Sequence, residues 1–267
     1  MAIIGAVLGD IAGSQYEFTK MRPEDLDWKN CELFTKKCRF TDDTVLTIGT
    51  KKAILEDKEN PNFGLWYQKM GIAHPNAGYG GMFRQYLQDP DRTPYHSFGN
   101  GSAMRVSPVV DLYDDHREIM EMAKLSAVCT HNHPEGAKGA IVTAACAAIA
   151  KENKSKQDIY DFAKKFYGDS DKYKYPITMP LDEMRKIYRW DVTCQGSVPA
   201  AIRCVLEADS YEEFLRNVFS LPCDMDTLGA IGGGIAEELF GLKDIEYGVI
   251  LKEYLTDFLL GEVIWKE

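Results

Sequence analysis

The sequence predicts an all-α fold in a single domain spanning residues 1–267. Three observations carry this. Apolar residues recur at helical spacing through most of the chain, and the alternation of a half-buried strand is almost absent. Residues 136–150 are alanine-rich and nearly apolar all round, the pattern of a helix enclosed by a core. No composition break or internal repeat divides the chain. The periodic segments amount to about ten or more helices.

In chain order, residues 3–14 form the first expected helix, with Gly5, Gly9 and Gly13 on one face. Glycine weakens a helix, but at this spacing it leaves a flat stripe that another backbone can approach, so the helix should be central and buried. Gln15, Tyr16, Glu17 and Phe18 end it, and the charged residues 19–40 read as an exposed loop. A helix over 44–57 follows. Residues 74–81, with Gly78, Gly80 and Gly81, are loop-like, and 82–88 are helical. Asp89-Pro90-Asp91 and Thr93-Pro94 are turn signals. The run Gly99-Asn100-Gly101-Ser102 opens an apolar segment reaching Leu112. Residues 114–128 are amphipathic, with Ile119, Met122, Ala123, Leu125 and Ala127 inward. Pro134 suits the first turn of the 136–150 helix. Ser155-x-x-Asp158 and Ser210-x-x-Glu213 have capping-box spacing. Residues 168–180 read as a loop, and 197–208, 211–220, 227–240 and 244–260 as helices.

The chain is 45% hydrophobic and 27% charged, the balance of a soluble globular protein. A net charge of −10 argues against general nucleic-acid binding, which needs clustered Lys and Arg, but leaves room for a small anionic substrate at a local site. The seven cysteines are odd in number and contain no C-x-x-C, so they read as reduced core thiols of a cytoplasmic protein. The N-terminal apolar run lacks a basic start and contains Asp10, unlike a signal peptide. No apolar run approaches the length of about 18 residues that a membrane span requires, so no membrane is expected as a partner.

Two acidic clusters stand out. Phe40-Thr41-Asp42-Asp43-Thr44 puts adjacent carboxylates between hydroxyls, ahead of an apolar run, and Asp224-Met225-Asp226-Thr227 repeats the theme far down the chain. None of these carboxylates has Lys or Arg within two residues. Either cluster alone is good helix N-cap chemistry, because Asp and Thr satisfy free N–H groups and suit the helix dipole. Brought together, the carboxylates repel unless a hard cation lies between them, and all-oxygen donors select Mg, Mn or Ca over Zn. Glu17, between Tyr16 and Phe18, is either a solvated end residue or a partly buried carboxyl suited to proton transfer. The stretch Ser97-Phe98-Gly99-Asn100-Gly101-Ser102 is either a plain turn or a loop whose free N–H groups face phosphate oxygens, with Phe98 and Tyr95 available to stack on a base. His131-Asn132-His133 has the H-x-H spacing of zinc hydrolases, but that motif needs a barrel strand, and none is legible. His133 reads as a helix-end residue, and His131 could equally hydrogen-bond a substrate. Asp224-Met225-Asp226-Thr227 lacks the apolar strand that precedes an aspartyl-phosphatase motif.

Taken together and in order, these motifs resemble the ADP-ribosylglycohydrolase family over nearly the whole length. The opening helix to Glu17, Phe40 to Thr44, Tyr79-Gly80-Gly81, Ser97 to Arg105, Thr130-His131, Gly196 to Ala201 and Asp224 to Thr227 each match. The chain has Pro222-Cys223 where the family usually has Gly-Gly, and Met225 where it usually has Thr or Ser. The resemblance implies an all-α domain, two Mg2+ or Mn2+ ions and cleavage of the bond between ADP-ribose and an acceptor. It implies Thr41, Asp42, Asp43, Asp224, Asp226 and Thr227 as metal ligands, with Glu17, Asp43 and Asp226 in catalysis. It implies substrate contacts from Tyr79, Gly80, Gly81, Ser97, Phe98, Gly99, Asn100, Gly101 and His131. Glu17 matches the members that act on O-linked ADP-ribose, such as serine-linked or O-acetyl-ADP-ribose, rather than arginine-linked. A non-catalytic ADP-ribose-binding module and a metal-dependent hydrolase of another nucleotide are the alternatives.

Overall fold

The computed structural model describes residues 1–17 and 25–264. Phe18 and residues 19–24 of the expected loop lie outside them. The helices are α1 (Ala2–Ser14), α2 (Asp42–Glu56), α3 (Phe63–Ala73), α4 (Gly81–Tyr86), α5 (Pro108–Leu112), α6 (His116–Val128), α7 (Pro134–Asn153), α8 (Lys156–Tyr167), α9 (Leu181–Ile187), α10 (Cys194–Leu206), α11 (Tyr211–Phe219), α12 (Met225–Phe240), α13 (Tyr247–Tyr254) and α14 (Asp257–Val263). Among the described residues there is no strand, only an isolated antiparallel bridge between Gly99 and Thr193.

The centre of the molecule is the pair α1 and α12. Every residue of α1 is buried. Its glycine stripe meets a second one on α12. A Cβ on Gly9 would stand 2.0 Å from the Gly229 carbonyl oxygen, and one on Gly5 would stand 2.2 Å from that of Gly233. At the far end, a Cβ on Gly13 would stand 2.2 Å from the Asp226 nitrogen. The helices therefore touch backbone to backbone and run antiparallel, which brings the end of α1 beside the start of α12. The paired stripe also ties down the chain around it. Glu237 of α12 accepts from the Gly5 N–H at 2.6 Å, and Asp111 of α5 accepts from the N–H groups of Ala2 and Ile3 at the start of α1.

Around this pair the apolar faces of α2, α7, α10 and α11 close one core. The alanine-rich α7 is inside as its composition requires, with Pro134 in its first turn. Ser155 and Ser210 cap α8 and α11, accepting from the N–H groups of Asp158 and Glu213. In the second case the return bond from the Glu213 carboxylate goes to Asp209 rather than to Ser210. All seven cysteines are unpaired, and five of them are buried.

Four elements differ from the sequence expectation. Helices α3 and α9 arise where no helix is legible, the first capped by Asn62, whose side chain accepts from the Leu65 N–H. The expected helix over 244–260 is two helices, because Thr256 breaks it by capping α14 through the Leu259 N–H. Leu125 is 42% exposed, since the inward face of α6 runs through Ile119, Met122, Ala123, Ser126 and Ala127.

The close approach of α1 and α12 predicts that Gly9→Ala and Gly229→Ala each destabilise by about 1–3 kcal/mol or more, because a methyl group must push two backbones apart. Gly248→Ala, in α13 with nothing within 4 Å of its Cβ position, should be neutral or stabilising by up to about 1 kcal/mol. Urea unfolding midpoints of the three variants test this, and equal shifts would remove the packing explanation.

Candidate functional site

The first acidic cluster opens α2. Thr41 is its N-cap, and its hydroxyl accepts from the Asp43 N–H at 3.2 Å. The capping chemistry is thus real, but it belongs to Thr41. The Asp43 Oδ1 atom is buried and has no hydrogen-bond partner.

The residue that organises the cluster is Asp10, which sequence alone marks only as a charge within an apolar helix. It is fully buried. Its carboxylate accepts from the backbone N–H groups of Thr41 and Thr44 at 2.9 and 3.0 Å, and from both threonine hydroxyls, that of Thr41 at 2.7 Å. Asp10 therefore caps α2 from outside and joins it to α1. A threonine hydroxyl has one proton, and the short bond assigns that of Thr41 to Asp10 rather than to Asp43 Oδ2 at 3.3 Å.

The second cluster arrives on α12. Asp226 sits in its first turn, and Oδ1 accepts from the Thr227 N–H at 2.9 Å. The Thr227 hydroxyl lies 3.4 Å from Asp43 Oδ2. Asp10, Asp43 and Asp226 each offer an oxygen, all within 4.8 Å of one another. Asp224, at the N-cap position, accepts from the Asn100 side-chain amide at 3.0 Å. Among the described residues no Lys, Arg or His pairs with Asp10, Asp42, Asp43, Asp224 or Asp226.

The electrostatic consequence is uniform in direction. Burial pushes Asp42 up to about 8, and the negative charges of Asp10 and Glu17 add to it. Burial likewise raises Asp43 well above the ordinary carboxylate range, with Asp10 next, and raises Asp226, with Asp224 next. Glu17, just past α1, is pushed up to about 7 by burial, against the pull of Arg39, whose guanidinium pairs with it. Arg39 is a second residue that the motifs do not reveal, and it also bonds the Ser14 carbonyl.

These groups line one side of a cavity of about 1050 Å³. Glu17, Asp42, Asp43, Asp224, Asp226 and Thr227 form its acidic end. Gly80, Gly81, Ser97, Gly99, Asn100, Gly101 and His131 line it as well, with Tyr95, Trp190 and Val192. Thr41 stands behind the carboxylates, on Asp10. Two expected contacts fall elsewhere. Tyr79 is not among the lining residues: it is buried against Phe83, with ring centroids 5.3 Å apart. Phe98 is not among them either: it is half-exposed, and its ring packs on His133 at 5.2 Å. Tyr95 is the aromatic residue of that stretch in the cavity wall. His133 caps α7 through Nδ1, which accepts from the Glu135 N–H.

Gly78 is a further member of the site. Its φ of +105° is a conformation that L side chains rarely adopt. A Cβ there would also stand 3.0 Å from Glu17 Oε1 and 3.4 Å from Asp42 Oδ1. The two walls are tied together by Asn100, whose amide donates to both Asp224 and Ser197, and by the pairing of Asn100 N–H with the Val192 carbonyl at 2.8 Å.

The chemistry this arrangement allows is narrow. Buried carboxylates with no counter-charge and an oxygen without a donor fit a hard divalent cation, with Thr41, Asp42, Asp43, Asp224, Asp226 and Thr227 as available oxygen donors. A glycine-lined cavity beside them fits an anionic, partly planar ligand.

Comparison with known proteins agrees with this. The sequence profile of the ADP-ribosylglycohydrolase family matches residues 1–252. ADP-ribosylhydrolase ARH3 of Bos taurus is 25% identical over 315 residues, covering 91% of this chain and 85% of the relative. The Homo sapiens ARH3 is 24% identical over 316 residues, with 91% and 85% covered. A solved ADP-ribosylglycohydrolase-related protein complex superposes with a TM-score of 0.74 at 22% identity, covering 98% of this chain and 94% of that one, a likeness of fold. No helix among the described residues is long and apolar enough to cross a membrane.

The raised carboxyl pKa values carry a signed prediction for protein stripped of divalent ions. Glu17 and Asp42 titrate higher folded than unfolded, so their contribution is full below about pH 4 and is lost as pH rises through about 7 and about 8. The melting temperature of chelated protein should therefore fall between pH 6 and pH 9, on the order of several degrees. Added Mg2+ should reverse the fall. A melting temperature that is flat over that interval in chelator would contradict it.

Proposed function

The chain belongs to the ADP-ribosylglycohydrolase family, and we propose that it hydrolyses the glycosidic bond between ADP-ribose and an acceptor, using two Mg2+ or Mn2+ ions. The proposed ligands are Thr41, Asp42, Asp43, Asp224, Asp226 and Thr227. One observation carries the proposal: a buried carboxylate set with no cationic partner among the described residues opens on the same cavity as Glu17 and the glycine loop at 99–101. Divalent ions held by these residues would neutralise the carboxylates and would supply Lewis-acid chemistry at the site.

The chain's own residues supply the rest. Gly99 and Gly101 leave room for a ligand to approach the backbone, which suits a pyrophosphate. Ser97, Asn100 and His131 add polar contacts, and Gly80 and Gly81 keep the cavity open, with nothing within 4 Å of their Cβ positions. Tyr95 supplies an aromatic face in the wall. Glu17 exchanges a proton with the attacking water or the leaving oxygen. Burial raises this carboxyl in the metal-free chain, and its place in the cavity wall lets it hold or release a proton beside the ligand. Arg39 holds this carboxyl at the cavity edge.

We also assign the substrate to the O-linked class, serine-linked or O-acetyl-ADP-ribose, over arginine-linked. The support is Glu17 itself, which matches the O-linked members of the family. No general nucleic-acid partner is proposed for a chain of net charge −10.

Chelation should abolish release of ADP-ribose, and Mg2+ or Mn2+ should restore it. Asp43→Asn and Asp226→Asn should each reduce turnover by several orders of magnitude while the fold persists. Full turnover in chelator would exclude the cation. Glu17→Gln should reduce single-turnover rates about 10²–10⁴-fold with a much smaller change in affinity. Rates on serine-linked, O-acetyl and arginine-linked substrates decide the class, and faster cleavage of the arginine-linked substrate would sink the O-linked assignment.

A further inference from the structure

Arg105 is completely buried yet has no carboxylate partner among the described residues. Its guanidinium lies over the Tyr67 ring at 3.9 Å. One nitrogen, Nη2, donates to the Ser126 carbonyl at 3.1 Å and to the Thr130 hydroxyl at 2.6 Å, while Nε and Nη1 have no hydrogen-bond partner. Burying a cation in this way is costly, and the partial charge at the end of α6 and the aromatic face offset only part of it. Arg105 therefore has a use beyond packing, and the Thr130 bond shows where to look.

The Thr130 oxygen lies 2.8 Å from His131 Nδ1. The nearest acceptor for its single proton is that nitrogen, with the Ala127 carbonyl at 3.3 Å and the Tyr95 hydroxyl and Cys129 thiol also close to it. The Ala127 oxygen already accepts the backbone N–H groups of Cys129, of Thr130 at 3.1 Å and of His131 at 2.7 Å, so it is crowded with donors and a poor acceptor for a further one. Arg105 also polarises the hydroxyl, making it a stronger donor and disfavouring a second N–H directed at it. The proton goes to His131 Nδ1, and Nε2 must then carry the ring hydrogen. Nε2 forms no hydrogen bond within the protein, and the ring lines the cavity. It stands 3.2 Å from the Cβ position of Gly101 and 3.6 Å from that of Gly99. Burial, reinforced by the Arg105 charge, also keeps the imidazole neutral by holding its pKa well below the usual range.

We infer that Arg105 and Thr130 are positioning residues that lock His131 in the Nε2–H tautomer, so that it presents a fixed N–H donor to a phosphate oxygen of the ligand beside the 99–101 loop. The ligand's identity rests on the function proposed above, whereas the tautomer does not. The locked tautomer gives the cavity directionality: this edge donates to anions and cannot accept from a hydroxyl.

The test uses the whole chain, 15N-labelled and free of ligand. Long-range 15N–1H spectra of the histidine rings, assigned with His131→Gln, should show His131 with bare Nδ1 and protonated Nε2, unchanged from pH 6 to pH 8. Thr130→Val removes the hydroxyl and should mix or invert the tautomer, and Thr130→Ser should restore the wild-type signature. Thr130→Val should also raise the Kd for ADP-ribose about tenfold while leaving that for adenosine, which lacks phosphate, unchanged. Arg105→Met, where it folds, should shift the spectrum in the same direction. A protonated Nδ1 in the wild type, or a Thr130→Val spectrum identical to it, overturns the relay. Equal weakening of ADP-ribose and adenosine overturns the phosphate contact. If wild-type protein does not bind ADP-ribose at all, the functional reading falls, and the spectra still decide the tautomer.

Discussion

The backbone contact between α1 and α12 is the constraint on which the rest depends. Glycines facing each other at four-residue spacing let two helices approach until carbonyl oxygens sit where side chains would otherwise be. Because the pair is antiparallel, the residues at the end of α1 and the start of α12 become neighbours although more than two hundred positions separate them in the chain. Asp10 and Glu17 come from one partner, and Asp224 and Asp226 from the other. Any side chain in the stripe would separate these groups, so packing at the core and geometry at the site are one problem.

That packing concentrates negative charge in a buried place. Desolvation and mutual repulsion both raise the pKa values of Asp42, Asp43 and Asp226, and no cationic side chain among the described residues pairs with them. Asp10 is the exception in kind. Four donors from Thr41 and Thr44 satisfy its carboxylate, and in doing so it fixes the first turn of α2 and the direction of the Thr41 hydroxyl. Held in this way, Thr41 gives its proton to Asp10 and one lone pair to the Asp43 N–H, which leaves one lone pair that can face a cation. Stability and function oppose each other here, since the carboxylates that destabilise the metal-free fold are those that suit a metal.

The opposite wall follows different rules. It is built from loop backbone and neutral donors, held by Asn100, by the Gly99 to Thr193 bridge and by the Arg105, Thr130 and His131 series. The same cavity thus holds buried carboxylates and neutral donors, and the two sets touch where the Asn100 amide donates to Asp224.

Much of this was legible in the sequence. The glycine stripe of α1, the apolar α7 with Pro134 at its start and the caps at Ser155 and Ser210 follow from local chemistry, because spacing and residue type act over a single turn. The two acidic motifs and the 97–102 loop were visible as candidates for the same reason. Their meeting was implied only by the family resemblance, since no local rule states which helix lies against which. Asp10 reads in sequence as a stray charge, and only the fold shows it capping another helix. Arg39, Gly78 and Arg105 gain their roles from partners distant in the chain, and Phe98 and Tyr79 are displaced from the cavity wall by neighbours that sequence does not reveal. The sequence by itself determined most of the helices, though not α3, α9 or the break at Thr256, and with them the close-packing stripe and the chemical types of the site. The tertiary structure decided the antiparallel pairing, and with it which carboxylates share one buried volume, because that choice depends on complementary surfaces rather than on residues near in the chain.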